Sequence, residues 1–126
     1  MAKSFRRRVA FSETDASGRV HFTALLKWVE EAEHEVLRSQ GVAIFSEQEG
    51  WPRARVECDY RLPFFVEEEA IVELTLMEAG RSSLTWSFRM LKDQGALAAE
   101  GQMVTVLVDQ NGSKEISAEV RTKLKG

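Results

Sequence analysis

Apolar positions recur with a helical period from Thr23 to about Gln40. Phe22, Leu25, Leu26, Val29, Ala32, Val36 and Leu37 form one stripe, while Lys27, Glu31, Glu35 and Arg38 face elsewhere. Gly41 stands where a C-terminal cap belongs. The spacing predicts the longest helix of the chain, with a stripe broad enough for deep packing. Ahead of it, residues 12–21 are small and polar and read as a turn hinged at Gly18, and residues 5–11 read as a first strand.

Beyond Gly50-Trp51-Pro52 the period drops to two. Ala54, Val56, Cys58 and Tyr60 alternate with Arg53, Arg55, Glu57 and Asp59, the pattern of a strand wet on one face and ended by Pro63. Ala70 to Met77 predicts a second strand of this series. A third alternates Leu84, Trp86, Phe88 and Met90 with Thr85, Ser87 and Arg89, and a fourth runs from Leu97 to Asp109 into the turn DQNG. The polar tail 117–125 reads as a short helix or a fraying end. A strand, a long helix and four consecutive strands make an α+β arrangement, in which an antiparallel sheet with one apolar face covers it with the 23–40 helix. At 126 residues the chain is expected to be a single domain spanning 1–126.

Charge and composition narrow the chemistry. A net charge of -3 argues against a broad basic surface, and so against nucleic acid or anionic membrane as partner. One cysteine and two histidines make a protein-built metal site unexpected and exclude an internal disulfide. No segment approaches the roughly 20 apolar residues that span a bilayer, and no secretory leader pattern is present, so a cytoplasmic location is expected. The candidate chemistry sits in TDASGRVHF: a lone carboxylate, Asp15, in a polar turn just before a helix start. By itself such an aspartate is more often an ordinary turn residue.

The stretch around it resembles the signature of hotdog-fold acyl-CoA thioesterases of the 4-hydroxybenzoyl-CoA thioesterase type. The matching positions are Thr14, Asp15, Gly18, His21, Phe22, Trp28, Val29, Glu30, Ala32, Glu35 and Leu37. CDYRLPFF resembles the family's Tyr-x-x-Pro step, with Tyr60 and Pro63, and GRSS at 80–83 resembles the place where the family often sets basic and hydroxyl residues near coenzyme A. The resemblance covers about residues 5–110.

It implies a hotdog fold, a five-stranded antiparallel sheet wrapped around one long central helix. It also implies hydrolysis of a small aryl- or medium-chain acyl-CoA. In this reading Asp15 is nucleophile or general base, and the backbone N–H of Phe22 holds the thioester oxygen. Gly18, His21, Glu30, Arg81, Ser82 and Ser83 would contact substrate. No cofactor or metal is implied, coenzyme A being part of the substrate, and the active site would lie at the boundary of a homodimer or homotetramer. The chain departs from the pattern in three places. Phe22 stands where one branch has a histidine, Glu33 where the family has an arginine in the helix, and Glu67-Glu68-Glu69 where Gly-Asp is common. Two other readings stay open: a hydratase or dehydratase acting on enoyl-CoA through an Asp15–His21 pair, and a non-catalytic acyl-CoA-binding module.

Overall fold

The computed structural model describes residues 2–126. Strands β1 (Ala2–Arg8), β2 (Arg53–Tyr60), β3 (Glu69–Ala79), β4 (Ser83–Lys92) and β5 (Leu97–Val106) form one sheet in the order β1-β3-β4-β5-β2, with every neighbouring pair antiparallel. β1 and β2 are consecutive strands in the chain yet lie at opposite edges. Helix α1 (Phe22–Ser39) lies in the crossover between them and packs on the apolar face of the sheet. A two-residue hairpin of β6 (Val108–Asp109) and β7 (Gly112–Ser113) and a helix α2 (Ala118–Lys125), capped by the Ser117 hydroxyl, complete the chain. Among the described residues no helix is long and apolar enough to cross a membrane.

The core follows both periods. On α1 the buried residues are Ala24, Leu25, Trp28, Val29, Ala32, Glu33, Val36 and Leu37, two neighbours in every turn. From the sheet they meet Ala70, Val72 and Leu74 of β3, Leu84, Trp86, Phe88 and Met90 of β4, and Ala98, Ala99 and Met103 of β5. The helix ends as its glycine implies. Gly41 adopts φ +71, its N–H donates to the Arg38 carbonyl at 3.0 Å, and the Val42 N–H donates to the Leu37 carbonyl at 2.8 Å.

Several expectations shift. The first strand is Ala2–Arg8 rather than 5–11, because beyond Val9 the chain must leave the sheet to reach the helix; Phe11 opens a short 3-10 turn and is 81% exposed. The stripe on α1 is rotated: Phe22 is exposed and Leu26 half-buried, while Trp28 and Glu33 are buried. The fourth strand of the series stops at Val106, since the Leu107 N–H donates to Ser82 and its carbonyl accepts from Lys114, which draws the chain off the sheet. β2 is wet on both faces in the single chain, with Val56 41% and Tyr60 46% exposed. It lies at an edge, with β5 on one side only.

The β2–β5 contact requires a glycine. A Cβ on Gly101 would stand 1.9 Å from the Glu57 carbonyl oxygen and 2.8 Å from the Phe88 ring. Gly101→Ala is expected to destabilise the fold at the upper end of the roughly 1–3 kcal/mol typical of overpacking, read as a lowered Tm by circular dichroism.

Candidate active site

The loop before α1 is a small hairpin built on its own backbone. The His21 N–H donates to the Glu13 carbonyl at 2.8 Å, Thr14 and Val20 bridge, and the Asp15 N–H donates to the Arg19 carbonyl at 2.8 Å. Gly18 turns the tip at φ +81, where a side chain would be strained. Asp15 therefore lies two residues from the hairpin base, roughly 7 Å along the strand direction, and the base leads directly into the helix. One carboxylate oxygen, Oδ1, accepts from the Ser17 hydroxyl at 2.5 Å and the Ser17 N–H at 2.8 Å. Oδ2 has no hydrogen-bond donor among the described residues. The Ser17 hydroxyl, then its N–H, hold the Asp15 carboxyl below the usual aspartate range, with a smaller pull from the His21 imidazole.

His21 is the N-cap of α1. Its Nδ1 accepts from the Thr23 N–H at 3.3 Å and lies 2.7 Å from the Thr23 hydroxyl, while the His21 carbonyl accepts from Ala24. Phe22 is the first helical residue, a position whose N–H has no partner inside a helix, and none of the described residues accepts from it. That N–H is aligned with the positive end of the helix dipole.

The loop is clamped from beneath by Glu13, which the sequence reading passed over. Its side chain is nearly buried and accepts from the Trp28 indole at 2.9 Å, from Arg7 Nη2 at 2.6 Å and from the Ala10 N–H at 2.9 Å. Burial alone would raise the Glu13 carboxyl, but the Ala10 and Trp28 bonds and the Arg7 charge outweigh it and hold it below its ordinary value. A second segment closes the side: the Val20 N–H donates to the Phe64 carbonyl at 2.9 Å, and Arg19 lies over the Phe65 ring at 5.8 Å. Buried Lys92 pins that segment through Glu68, the Pro63 carbonyl and the Phe64 ring. Between the two segments a cavity of about 270 Å³ opens, walled by Phe22, Leu25, Leu62, Pro63 and Phe64, with Tyr60, Arg19 and Arg61 also lining it.

Asp15, Gly18, His21 and Phe22 are thus gathered at one end of the molecule. Glu30 sits two turns down the helix beside Arg53, 3.5 Å away, on a different cavity between α1 and β2. Arg81 and Ser82 form the β3–β4 turn and Ser83 opens β4, at the end of the sheet opposite Tyr60 and Phe64, so one chain does not bring them to Asp15. Arg81 is exposed, 3.7 Å from Glu115, and its carbonyl accepts from Ile116. Glu13 carries no signal in a short window of sequence, since its partners Arg7 and Trp28 meet it only in the fold, whereas Ser17 lies in the turn expected to hold Asp15 and does hold it.

The sequence pattern of the thioesterase-like superfamily matches residues 9–124. The chain belongs to this superfamily. It is 32% identical over 117 residues to a 1,4-dihydroxy-2-naphthoyl-CoA hydrolase of Synechococcus sp. (strain CC9605), covering 86% of this chain and 78% of that protein. A protein of Aquifex aeolicus shares its architecture at TM-score 0.89 and 31% identity, over 97% of this chain and 98% of the other. A gentisyl-coenzyme A thioesterase does so at TM-score 0.89 and 25% identity, over 97% and 99%. The thioesterase is therefore a thioester hydrolase with the hotdog fold. The crossover helix and five-stranded sheet are the architecture the resemblance implied.

The clamp of this thioesterase gives a pH-dependent signature. Glu13→Ala leaves the Trp28 N–H and the half-buried Arg7 guanidinium short of an acceptor, a loss of roughly 1–3 kcal/mol at neutral pH. Because the folded carboxyl lies below its ordinary value of 4.5, its stabilisation is complete above that pH and disappears as pH falls through the depressed value. Chemical denaturation of wild type and Glu13→Ala between pH 7 and pH 3 should show the gap closing on the acid side.

Proposed function

We propose that the thioesterase hydrolyses an aryl-CoA thioester, with Asp15 delivering the attack and the Phe22 N–H holding the developing oxyanion. The observation that carries this reading is the pairing of an anchored carboxylate with an unused donor. One oxygen of Asp15 is fixed by Ser17 and the other is open, on a hairpin whose base runs into the helix whose first N–H is unpartnered.

With the acyl carbonyl set against the helix tip, the C=O bond polarises toward the Phe22 N–H and negative charge collects on oxygen as a tetrahedral centre forms. A backbone donor so placed contributes roughly 3–4 kcal/mol to that step. Asp15, ionised at neutral pH, either bonds to the carbonyl carbon, giving a mixed anhydride as the C–S bond breaks, or takes a proton from the water that does so. In the first case water then cleaves the anhydride, returning Asp15 as its carboxylate. In either case the acid leaves as its carboxylate, and a proton from that water converts the departing thiolate of coenzyme A to the thiol. The apolar wall of Phe22, Leu25, Leu62, Pro63 and Phe64 suits a flat ring, and relatives named for 1,4-dihydroxy-2-naphthoyl-CoA and gentisyl-CoA support an aromatic acyl group.

The exposure of Asp15 and of the β2 edge supports a second copy closing the site, in a homodimer or a pair of dimers. Antiparallel pairing of two β2 edges about Val56 sets Arg55 of one chain opposite Glu57 of the other, a self-complementary charge pattern. Light scattering should give a mass of two or four chains, and a monomer would count against a shared site.

Thiol release from a panel of aryl-, medium-chain and enoyl-CoAs tests the substrate class, with aryl thioesters expected to turn over fastest. Asp15→Asn, which keeps the Ser17 bonds to an amide oxygen, should lower kcat roughly 10²–10⁴-fold with the Tm unchanged. Activity near that of wild type in this variant would remove Asp15 from the reaction.

A further inference from the structure

Phe22 carries the proposed oxyanion donor, yet its side chain is 58% exposed, so the core does not hold it in place. The backbone holds the peptide unit that carries its N–H, through the His21 carbonyl accepting from the Ala24 N–H at 2.9 Å, and three contacts made by two residues brace the Phe22 residue itself. The Tyr60 hydroxyl donates to the Phe22 carbonyl at 3.1 Å, across 38 positions of sequence. The Tyr60 ring meets the Phe22 ring edge-on with centroids 6.2 Å apart, and the His21 ring stacks on the Phe22 ring at 4.8 Å. Oxyanion donors act only when held within a few tenths of an ångström of the developing charge. A loose first residue on a helix would waste its N–H.

We infer that Tyr60 is a positioning residue: its hydroxyl ties the edge strand β2 to the first residue of α1 and thereby fixes the Phe22 N–H for the transition state. This rests on the reading of Phe22 given above. Tyr60 acts through a neutral O–H, which a phenolate cannot supply. Burial first, then the charge that Cys58 carries as a thiolate and its hydrogen bond, pushes the phenol up to about 12, so the donor persists over the working range. The titratable and charged groups around it are Cys58 and Asp59 on its own strand, Arg61 beyond it (paired with Glu100), His21 at the helix start and Arg19 from the facing hairpin. The link also makes the helix tip responsive to whatever pairs with the edge of β2, since one residue belongs to both.

Tyr60 is the sole tyrosine of the chain, which allows two clean tests. Tyr60→Phe keeps the ring contact and removes the hydrogen bond; kcat toward an aryl-CoA should fall roughly 10-fold while KM moves less than about twofold, because the lost interaction matters at the transition state. Replacing the tyrosine biosynthetically with 3-fluorotyrosine acidifies the phenol without cutting the side chain. In that protein kcat should fall as the phenol ionises, at a pH where unlabelled enzyme is unaffected, with the ionisation followed by ¹⁹F NMR. A kcat within twofold of wild type for Tyr60→Phe, a change in KM alone, or a rate blind to ionisation of the fluorinated phenol each overturns the assignment. Should Tyr60→Phe fold poorly, the fluorotyrosine protein alone decides. Asp15→Asn run alongside separates the two readings: if it retains activity the proposed chemistry fails, and if it is inactive while Tyr60→Phe is unchanged only the role of Tyr60 fails.

Discussion

One indole at the centre of the molecule couples the core to the reactive end. Trp28 is 1% exposed, and removing roughly 200 Å² of its surface from water is worth about 5 kcal/mol as an upper bound. Its surroundings are not only apolar. The Phe64 ring meets it edge-on at 5.4 Å, the Arg7 guanidinium lies over it at 4.9 Å, and its N–H donates to Glu13. Those partners belong to the 61–68 segment, to β1 and to the loop before the helix. Burying this one side chain fixes the helix against the sheet and sets both loops that frame the cavity.

Three carboxylates near this centre behave differently for physical reasons visible around each. Glu13 is nearly buried but accepts three hydrogen bonds, and its acidity is increased on balance. Asp15 is exposed and gains acidity from Ser17 alone to first order. Glu33 is fully buried on the opposite flank of α1 with a single strong partner, Arg53 at the start of β2, and its Oε2 has no hydrogen-bond partner among the described residues. Burial dominates there and pushes it up to about 6 despite the arginine. The ion pair joins the edge strand to the middle of the helix, much as Tyr60 joins it to the tip, so β2 is tied to α1 at two heights.

That arrangement separates holding from reacting. The groups that hold, Glu13, Lys92 and Glu33, are buried or nearly so and are matched to opposite charges. The groups proposed to react, the free oxygen of Asp15 and the Phe22 N–H, are left open on the surface of one chain. The clamp below them is complete within the chain, so it holds the loop without help from any other molecule.

Local chemistry was legible in the sequence wherever a short window contains its own cause. The bounds of α1, the glycines at 18 and 41, the inward residues of β4, the DQNG turn and the aspartate hairpin all follow from spacing and backbone preference over a few residues. What required the folded chain is whatever depends on a partner distant in sequence. The helical period fixes the width of the apolar stripe but not its rotation, so only the sheet decided that Glu33 goes in while Phe22 stays out. An alternating strand reads alike at an edge and at a centre, so the double exposure of β2 came from its place beside β5 alone. The distance between the 80–83 turn and Asp15 within one chain likewise came from the folded sheet, because the two ends of β4 lie at opposite ends of it. Local preference acts within a turn or two of chain, and burial and charge pairing act between neighbours in space.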